Sequence, residues 1–201
     1  MVQVSDPGPE AAPKRAAILG CSHEIDFTPE VMAEMAVAAE FLLRCGYAEI
    51  STGAGGGVPR RFTEVYLDRG GAVFAHSPWL SEAEALGDHP LWAQDPRATT
   101  IWVGGGEIGN YCARDHQTLL GCDLVVTLPW GHSGAGTARE VMYALKRLHI
   151  QRILFLNSRL ITEEVHRRIV QVFLTADLFK NDKGRKRIDL WEVELLPQRE
   201  L

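Results

Sequence analysis

A glycine-rich segment at 129–137 carries the residue types that bind a phosphate group. It follows a short apolar run at 124–128 that is typical of a buried strand. Thr137 can cap the helix that follows, and Glu140 stands three residues later, as in a capping box. Free backbone N–H groups at such a helix start attract anions. A plain capping box explains Thr137 and Glu140 but leaves the glycines unexplained, so we predict a phosphate site. Those glycines are Gly131, Gly134 and Gly136.

Two further loops follow predicted strands, at 20–23 and 52–57. The second loop contains four glycines, but a dinucleotide fingerprint beginning at Gly53 needs glycine at 58, where Val58 stands. No G-K-[ST] sequence of a Walker A motif occurs either. A plain turn is therefore the alternative, and the interest of the loop lies in its position between a strand and a helix.

Strands and helices alternate along the chain, which predicts an α/β fold. We expect a single-domain, Rossmann-like, doubly wound, mainly parallel sheet flanked by helices over 15–201, after a flexible tail at 1–14. Ligands of such sheets bind beyond the carboxyl ends of the strands, so the three glycine-bearing loops should converge at one edge. The segment 77–99 shows no clear period and is predicted to be an irregular excursion, either a lid or a substrate loop.

The bounds of the predicted elements follow from the apolar periodicity. The predicted strands are 15–19, 47–51, 72–75, 100–103, 124–128 and 153–156, with an edge strand at 190–195. The predicted helices are 29–45, 60–69, 110–120, one after Gly136, and 163–174.

Composition excludes several classes of function. The 201 residues carry a net charge of −5 with no dominant basic block, which argues against nucleic acid as a partner. No apolar run is long enough to cross a membrane. The four cysteines show no C-x-x-C spacing, so we expect no metal or redox site and predict reduced thiols in a cytoplasmic protein.

These motifs together resemble the lysine-decarboxylase-like Rossmann superfamily, over residues 15 to 157. It is typified by the LOG cytokinin-activating phosphoribohydrolases and includes DprA-related proteins and molybdenum cofactor carriers. Segment 52–58 resembles the family's G-G-x-x-G-[ILV]-M motif, although Pro59 replaces the methionine. Arg114, nine residues before Asp123, matches the arginine of the family's M-x-x-R-K helix, and Asp115 replaces the lysine. The segment from Pro129 to Glu140 resembles P-G-G-x-G-T-x-x-E with a longer loop.

The resemblance implies hydrolysis of the N-glycosidic bond of a nucleoside 5′-monophosphate, without a metal or organic cofactor. Glu140 and Arg114 would be the catalytic residues, and the protein would form a homodimer. Without the resemblance, Glu140 would only complete a capping box, and Arg114 would form a surface ion pair with Asp115 or a neighbouring glutamate. The residues implied to contact phosphate or nucleotide are Gly20, Cys21, Ser22, Gly53, Gly55, Gly56, Gly57, Gly131, His132, Ser133, Gly134, Gly136 and Thr137.

Two alternatives stay open on the sequence. The longer loop at 129–137 also fits a non-catalytic binder, carrier or sensor of a nucleotide or of molybdenum cofactor. A nucleotide-modifying enzyme on a similar fold is the third interpretation, because fold alone does not fix function.

Other side chains each have two interpretations. His116 is expected on a helix surface and not as a ligand, and His23 lies either in a plain turn or against the ligand. Trp79, Trp92 and Trp102 either fill the core or stack on a base.

Overall fold

Parallel strands form the centre of the molecule, as their alternation with helices predicts. In a computed structural model, seven strands of the described residues form one sheet in the order β4-β3-β2-β1-β5-β6-β7, and every neighbouring pair is parallel. The strands are β1 (Arg15–Leu19), β2 (Glu49–Gly53), β3 (Ala72–Ser77), β4 (Ala98–Trp102), β5 (Leu124–Thr127), β6 (Arg152–Phe155) and the two-residue β7 (Glu194–Leu195). The structure describes residues 14–20, 27–82, 95–104, 108–127, 137, 140–141, 143–144, 147–150, 152–155 and 194–195.

Helices cover both faces of the sheet, so the predicted Rossmann-like α/β class is confirmed. Three are described over their length: α1 (Pro29–Arg44), α2 (Gly57–Asp68) and α3 (Ile108–Leu119). Residues 137, 140, 141, 143, 144 and 147 are also helical, after β5. One apolar core packs α1 and α2 on residues such as Ile18, Ile50 and Val73. The other packs Leu119 and Val141 on the opposite face.

Local signals set the bounds of α1 as predicted. Thr28 caps the helix by accepting a hydrogen bond from the Val31 N–H at 3.4 Å, and Pro29 occupies the first turn. At the other end Gly46 has a φ of +83°, which favours glycine. The chain thus leaves α1 where the sequence indicates.

The second strand lies two residues later than the predicted 47–51. The Tyr47 N–H donates to the Leu42 carbonyl at 2.9 Å, which ties Tyr47 to the end of α1 and keeps it out of the sheet. At its far end β2 includes Gly53, which pairs with His76 of β3. Gly53 is therefore a sheet residue and not part of the loop.

Other predicted bounds move because pairing between strands continues beyond the apolar runs. Strand β3 extends to Ser77 and β4 begins at Ala98, since Ser77 pairs with Trp102 and Ala98 with Val73. Both ends of the predicted excursion at 77–99 therefore belong to the sheet. Helix α2 begins at Gly57, three residues before the predicted start, and buries Val58 in its first turn.

Some expectations fall outside the described residues. They are the tail at 1–13, the central part of the excursion at 83–94, the glycine-rich segment at 128–136 and the predicted helix at 163–174. The assignment of 15–201 to one domain remains a prediction.

Candidate functional site

The strand order places the candidate site at the carboxyl ends of β1, β2 and β5. The chain builds the sheet outward from β1 to β4 and then returns to pair β5 with the other side of β1. This reversal between β1 and β5 is where doubly wound sheets bind ligands. The three glycine-bearing segments follow β1, β2 and β5, so all three start from this edge.

Gly20, directly after β1, packs against the first turn of α2. A Cβ atom at position 20 would lie 2.5 Å from both Cβ and Cγ1 of Val58. Only glycine fits so close to a β-branched side chain. The backbone leaving β1 is therefore held against the loop that follows β2.

Gly53 makes room for Arg114. Helix α3 crosses over β2 and β3, and its Arg114 guanidinium lies directly over the backbone of Gly53. A Cβ atom at position 53 would be 2.0 Å from Arg114 Nη1. The glycine at the end of β2 thus lets a cation from α3 lie on the sheet.

The two predicted catalytic residues, Arg114 and Glu140, lie close together. Its Nη2 lies 2.7 Å from Asp115 Oδ1 and 3.8 Å from Glu140 Oε1, an ion-pair distance longer than a hydrogen bond. The side chains of Arg114 and Glu140 are only 18% and 12% exposed, so this is not the surface pair of the simpler interpretation. Among the residues that the structure describes, this cluster consists of one guanidinium and two carboxylates.

His116 holds the helix of Glu140 against α3. Its Nδ1 lies 2.8 Å from the Tyr143 hydroxyl, and the two rings meet edge to face with centroids 5.7 Å apart. His116 is partly exposed on α3, as expected of a helix-surface residue, and its ring also contacts Tyr143 of the neighbouring helix. This contact lies two residues from Arg114 and three from Glu140, and it helps to fix their separation.

His76 is a candidate that the sequence motifs do not reveal. It is 4% exposed, and neither ring nitrogen has a hydrogen-bond partner among the described residues. Burial, and then the charges of Arg15 and Arg114, lower its pKa to about 4, so the imidazole is neutral at pH 7. No local pattern marks His76, since its position depends on the pairing of β3 with Gly53.

The remaining described residues also lie at this edge or close to it. Thr137 is itself helical, so the helix begins at or before residue 137. Gly55 and Gly56 connect β2 to α2, with Gly56 at the N-cap. Trp79 follows β3 and Trp102 ends β4, at the side of the edge away from β5.

Several predicted site residues lie outside the described part of the chain. They are Cys21, Ser22, His23, Trp92, Gly131, His132, Ser133, Gly134 and Gly136. Within the described residues, no helix is both long and apolar enough to span a membrane.

Comparison with known proteins identifies a shared fold. No family model matches the sequence, and no curated protein does. The molybdenum cofactor binding protein of the phototrophic bacterium Rippkaea orientalis aligns over 81% of this chain and 88% of its own, with 18% identity and a TM-score of 0.53. The molybdenum cofactor carrier protein of Chlamydomonas reinhardtii aligns over 83% and 87%, with 18% identity and a TM-score of 0.52. The X-ray structure of TM1055 aligns over 70% and 72%, with 19% identity and a TM-score of 0.49.

Identities this low show the fold alone. The alignments with the two molybdenum cofactor proteins show that this chain shares their fold. A specific catalytic activity does not follow from them.

Proposed function

We propose that this protein hydrolyses the N-glycosidic bond of a nucleoside 5′-monophosphate, as a LOG-like phosphoribohydrolase. One observation carries the proposal: the Glu140 carboxylate, 12% exposed, lies 3.8 Å from the Arg114 guanidinium near the carboxyl edge of the sheet. These are the two residues that the family motifs make catalytic. Their separation in sequence gives no local reason for them to meet.

The charges of the cluster suit this reaction. Cleavage of an N-glycosidic bond passes through an oxocarbenium-like state in which positive charge develops at C1′. In the described part of the chain, Asp115 and Glu140 place two carboxylates beside the guanidinium of Arg114, and a carboxylate next to C1′ would stabilise a developing cation. Water adds to C1′ as the bond to nitrogen breaks, and Glu140 accepts one proton of that water. The departing nitrogen of the base takes up a proton in turn, and Glu140 returns to its carboxylate form. The products are the free base and ribose 5-phosphate.

In this proposal Arg114 orients Glu140 and does not hold the phosphate. A phosphate beside Arg114 would face two carboxylates that already neutralise the guanidinium. We assign the phosphate to the glycine-rich segment that leads to Thr137, because backbone N–H groups at the start of a helix bind anions.

A second candidate is a non-catalytic binder or carrier of a nucleotide or of molybdenum cofactor. The observation that favours it is the fold shared with a molybdenum cofactor binding protein and a carrier protein. Such a protein would bind its ligand without releasing a base.

We further propose that the protein is a cytoplasmic homodimer. The resemblance to a family of dimers supports the assembly, and free thiols at Cys45 and Cys122 agree with a reducing compartment. Light scattering on the purified full chain tests the assembly: a mass of one chain would overturn it.

The test of function is incubation of the protein with a panel of nucleoside 5′-monophosphates, followed by mass spectrometry of the free base. Release of a base together with equimolar ribose 5-phosphate supports the hydrolase. Thermal stabilisation by one nucleotide without release of its base would instead support the binder.

A further inference from the structure

His76 is a buried polar side chain whose ring nitrogens make no hydrogen bond to the described residues. Buried side-chain nitrogens are nearly always hydrogen-bonded, and an unpaired one costs about 1–3 kcal/mol. Both ring nitrogens of His76 lack a partner among the described residues, although only 4% of the residue is exposed. A ligand bound beside the ring would supply the missing partner.

The ring lies on the face of the sheet that carries the candidate cluster. Along β3, Ala75 belongs to the core under α1 and α2, so the next residue, His76, faces the α3 side. His76 is also the register partner of Gly53, over which the Arg114 guanidinium lies. His76 therefore lies on the same face of the sheet as Arg114, one strand away from the backbone over which the guanidinium lies.

The chemistry of these groups defines what they bind. A neutral imidazole offers one donor and one acceptor, whereas a guanidinium offers donors only. A hydroxyl group can donate to the imidazole nitrogen and accept from the guanidinium at the same time. An anion accepts hydrogen bonds only, so it cannot partner the acceptor nitrogen of the neutral imidazole, whereas a hydroxyl group can.

We propose that His76 is a specificity-determining residue that hydrogen-bonds a sugar hydroxyl of the bound nucleotide beside Arg114. This inference rests on the proposed nucleotide site and names the part of the substrate that His76 recognises. Thr127 is consistent with a polar ligand along this edge, because its buried Oγ1, at the end of β5, also lacks a partner among the described residues.

The experiment compares affinities for AMP, GMP, CMP and UMP and for their 2′-deoxy and 3′-deoxy forms, from KM where the protein releases the base and by isothermal titration calorimetry where it does not. The unaltered protein should bind the ribonucleotide about tenfold more tightly than one deoxy form. His76→Leu should bind both forms equally, and His76→Gln, which keeps a donor and an acceptor, should restore part of the preference. Thr63→Val is the matched control, since Thr63 also has a buried, unpartnered oxygen, but on α2.

The outcomes separate this inference from the proposed function. Equal affinity for all sugar forms in the unaltered protein overturns the role of His76, as does an unchanged preference in His76→Leu. In both cases base release by the unaltered protein would leave the proposed hydrolase standing. Failure of every nucleotide to bind would overturn both proposals. Because the first comparison uses the unaltered protein, it does not depend on how well a variant folds.

Discussion

Arg114 is the residue that connects the sheet to the proposed catalytic carboxylate. Its Nη1 lies over Gly53, while its Nη2 contacts Asp115 at 2.7 Å and approaches Glu140 to 3.8 Å. A planar guanidinium can make these contacts in several directions at once, which a lysine ammonium on a flexible chain cannot reproduce. The geometry of Glu140 therefore depends on the shape of Arg114 as well as on its charge.

Arg114→Lys should lower kcat for base release by about 100-fold, because a small displacement of a catalytic group has an effect of that order. Steady-state kinetics with the nucleotide identified by the panel measure the change. Arg147→Lys is the matched control, since Arg147 is exposed on the helix of Glu140. A kcat near that of the unaltered protein would show that charge alone suffices.

His76 should make stability depend on pH. Its pKa is lowered from 6.5 to about 4 in the folded protein, so the unfolded chain binds the extra proton between these values. The contribution of the neutral His76 side chain to the free energy of unfolding is complete above pH 6.5. It is lost as the pH falls towards 4, and the loss is roughly 3 kcal/mol. Urea unfolding from pH 7.5 to 4 should show this loss in the unaltered protein and not in His76→Leu. Parallel pH profiles for the two proteins would contradict the assignment.

At the scale of elements, two glycines at the carboxyl edge have different neighbours and predict different defects. Gly53→Ala places a Cβ against the end of the Arg114 side chain, which can move, whereas Gly20→Ala places one against the β-branched Val58. We expect Gly53→Ala to fold with a nearly unchanged Tm but to lose base release, because Arg114 is displaced. Gly20→Ala should lose about 1–3 kcal/mol of stability from overpacking.

Thermal unfolding and kinetics of the two variants, measured side by side, check this contrast. Full activity in a folded Gly53→Ala protein would show that the contact between Arg114 and the sheet has no part in catalysis. An unchanged Tm in Gly20→Ala would mean that the first turn of α2 yields to the added methyl group.

The bounds of elements that end at a cap or a glycine turn were predicted closely, whereas the bounds of strands that depend on pairing with another strand were not. The cap at Thr28 and the turn at Gly46 fix α1 within a few neighbouring residues, so the sequence is enough to locate it. The extent of β2 depends on β3, which lies about twenty residues further along. Local periodicity therefore placed β2 two residues too early and left Gly53 outside the sheet.

The same limit applies to the candidate site. Motif resemblance identified Arg114 and Glu140, but their 3.8 Å approach depends on how α3 and the helix after β5 pack on the sheet. His76 carries no motif, and its relation to Gly53 and Arg114 exists only in the assembled sheet. The sequence thus predicted the fold class and a candidate site at the carboxyl edge of the sheet. The unpartnered ring nitrogens of His76 are evident only from the three-dimensional structure.

For the whole molecule, the strand order makes loops from both halves of the sheet begin at the edge where we propose that the ligand binds. Binding across β1 and β5 would hold the two halves together, so the ligand should stabilise the entire fold. At a concentration 100 times its Kd, a nucleoside 5′-monophosphate should add about 2.7 kcal/mol to the free energy of unfolding. At the same concentration, the matching nucleoside, which lacks the phosphate, should add far less to the free energy of unfolding, because we propose that the glycine-rich segment binds the phosphate. Equal stabilisation by both in a thermal scan would contradict that placement.

The most direct test of the account is the turnover of Glu140→Gln with the nucleotide that the panel identifies. The amide keeps the size of the side chain but cannot accept the proton of water or balance charge at C1′. We predict that base release, followed by mass spectrometry, falls at least 100-fold, while calorimetry shows nucleotide binding within a few-fold of the unaltered protein. Undiminished release by Glu140→Gln would contradict the central claim that this carboxylate catalyses the reaction.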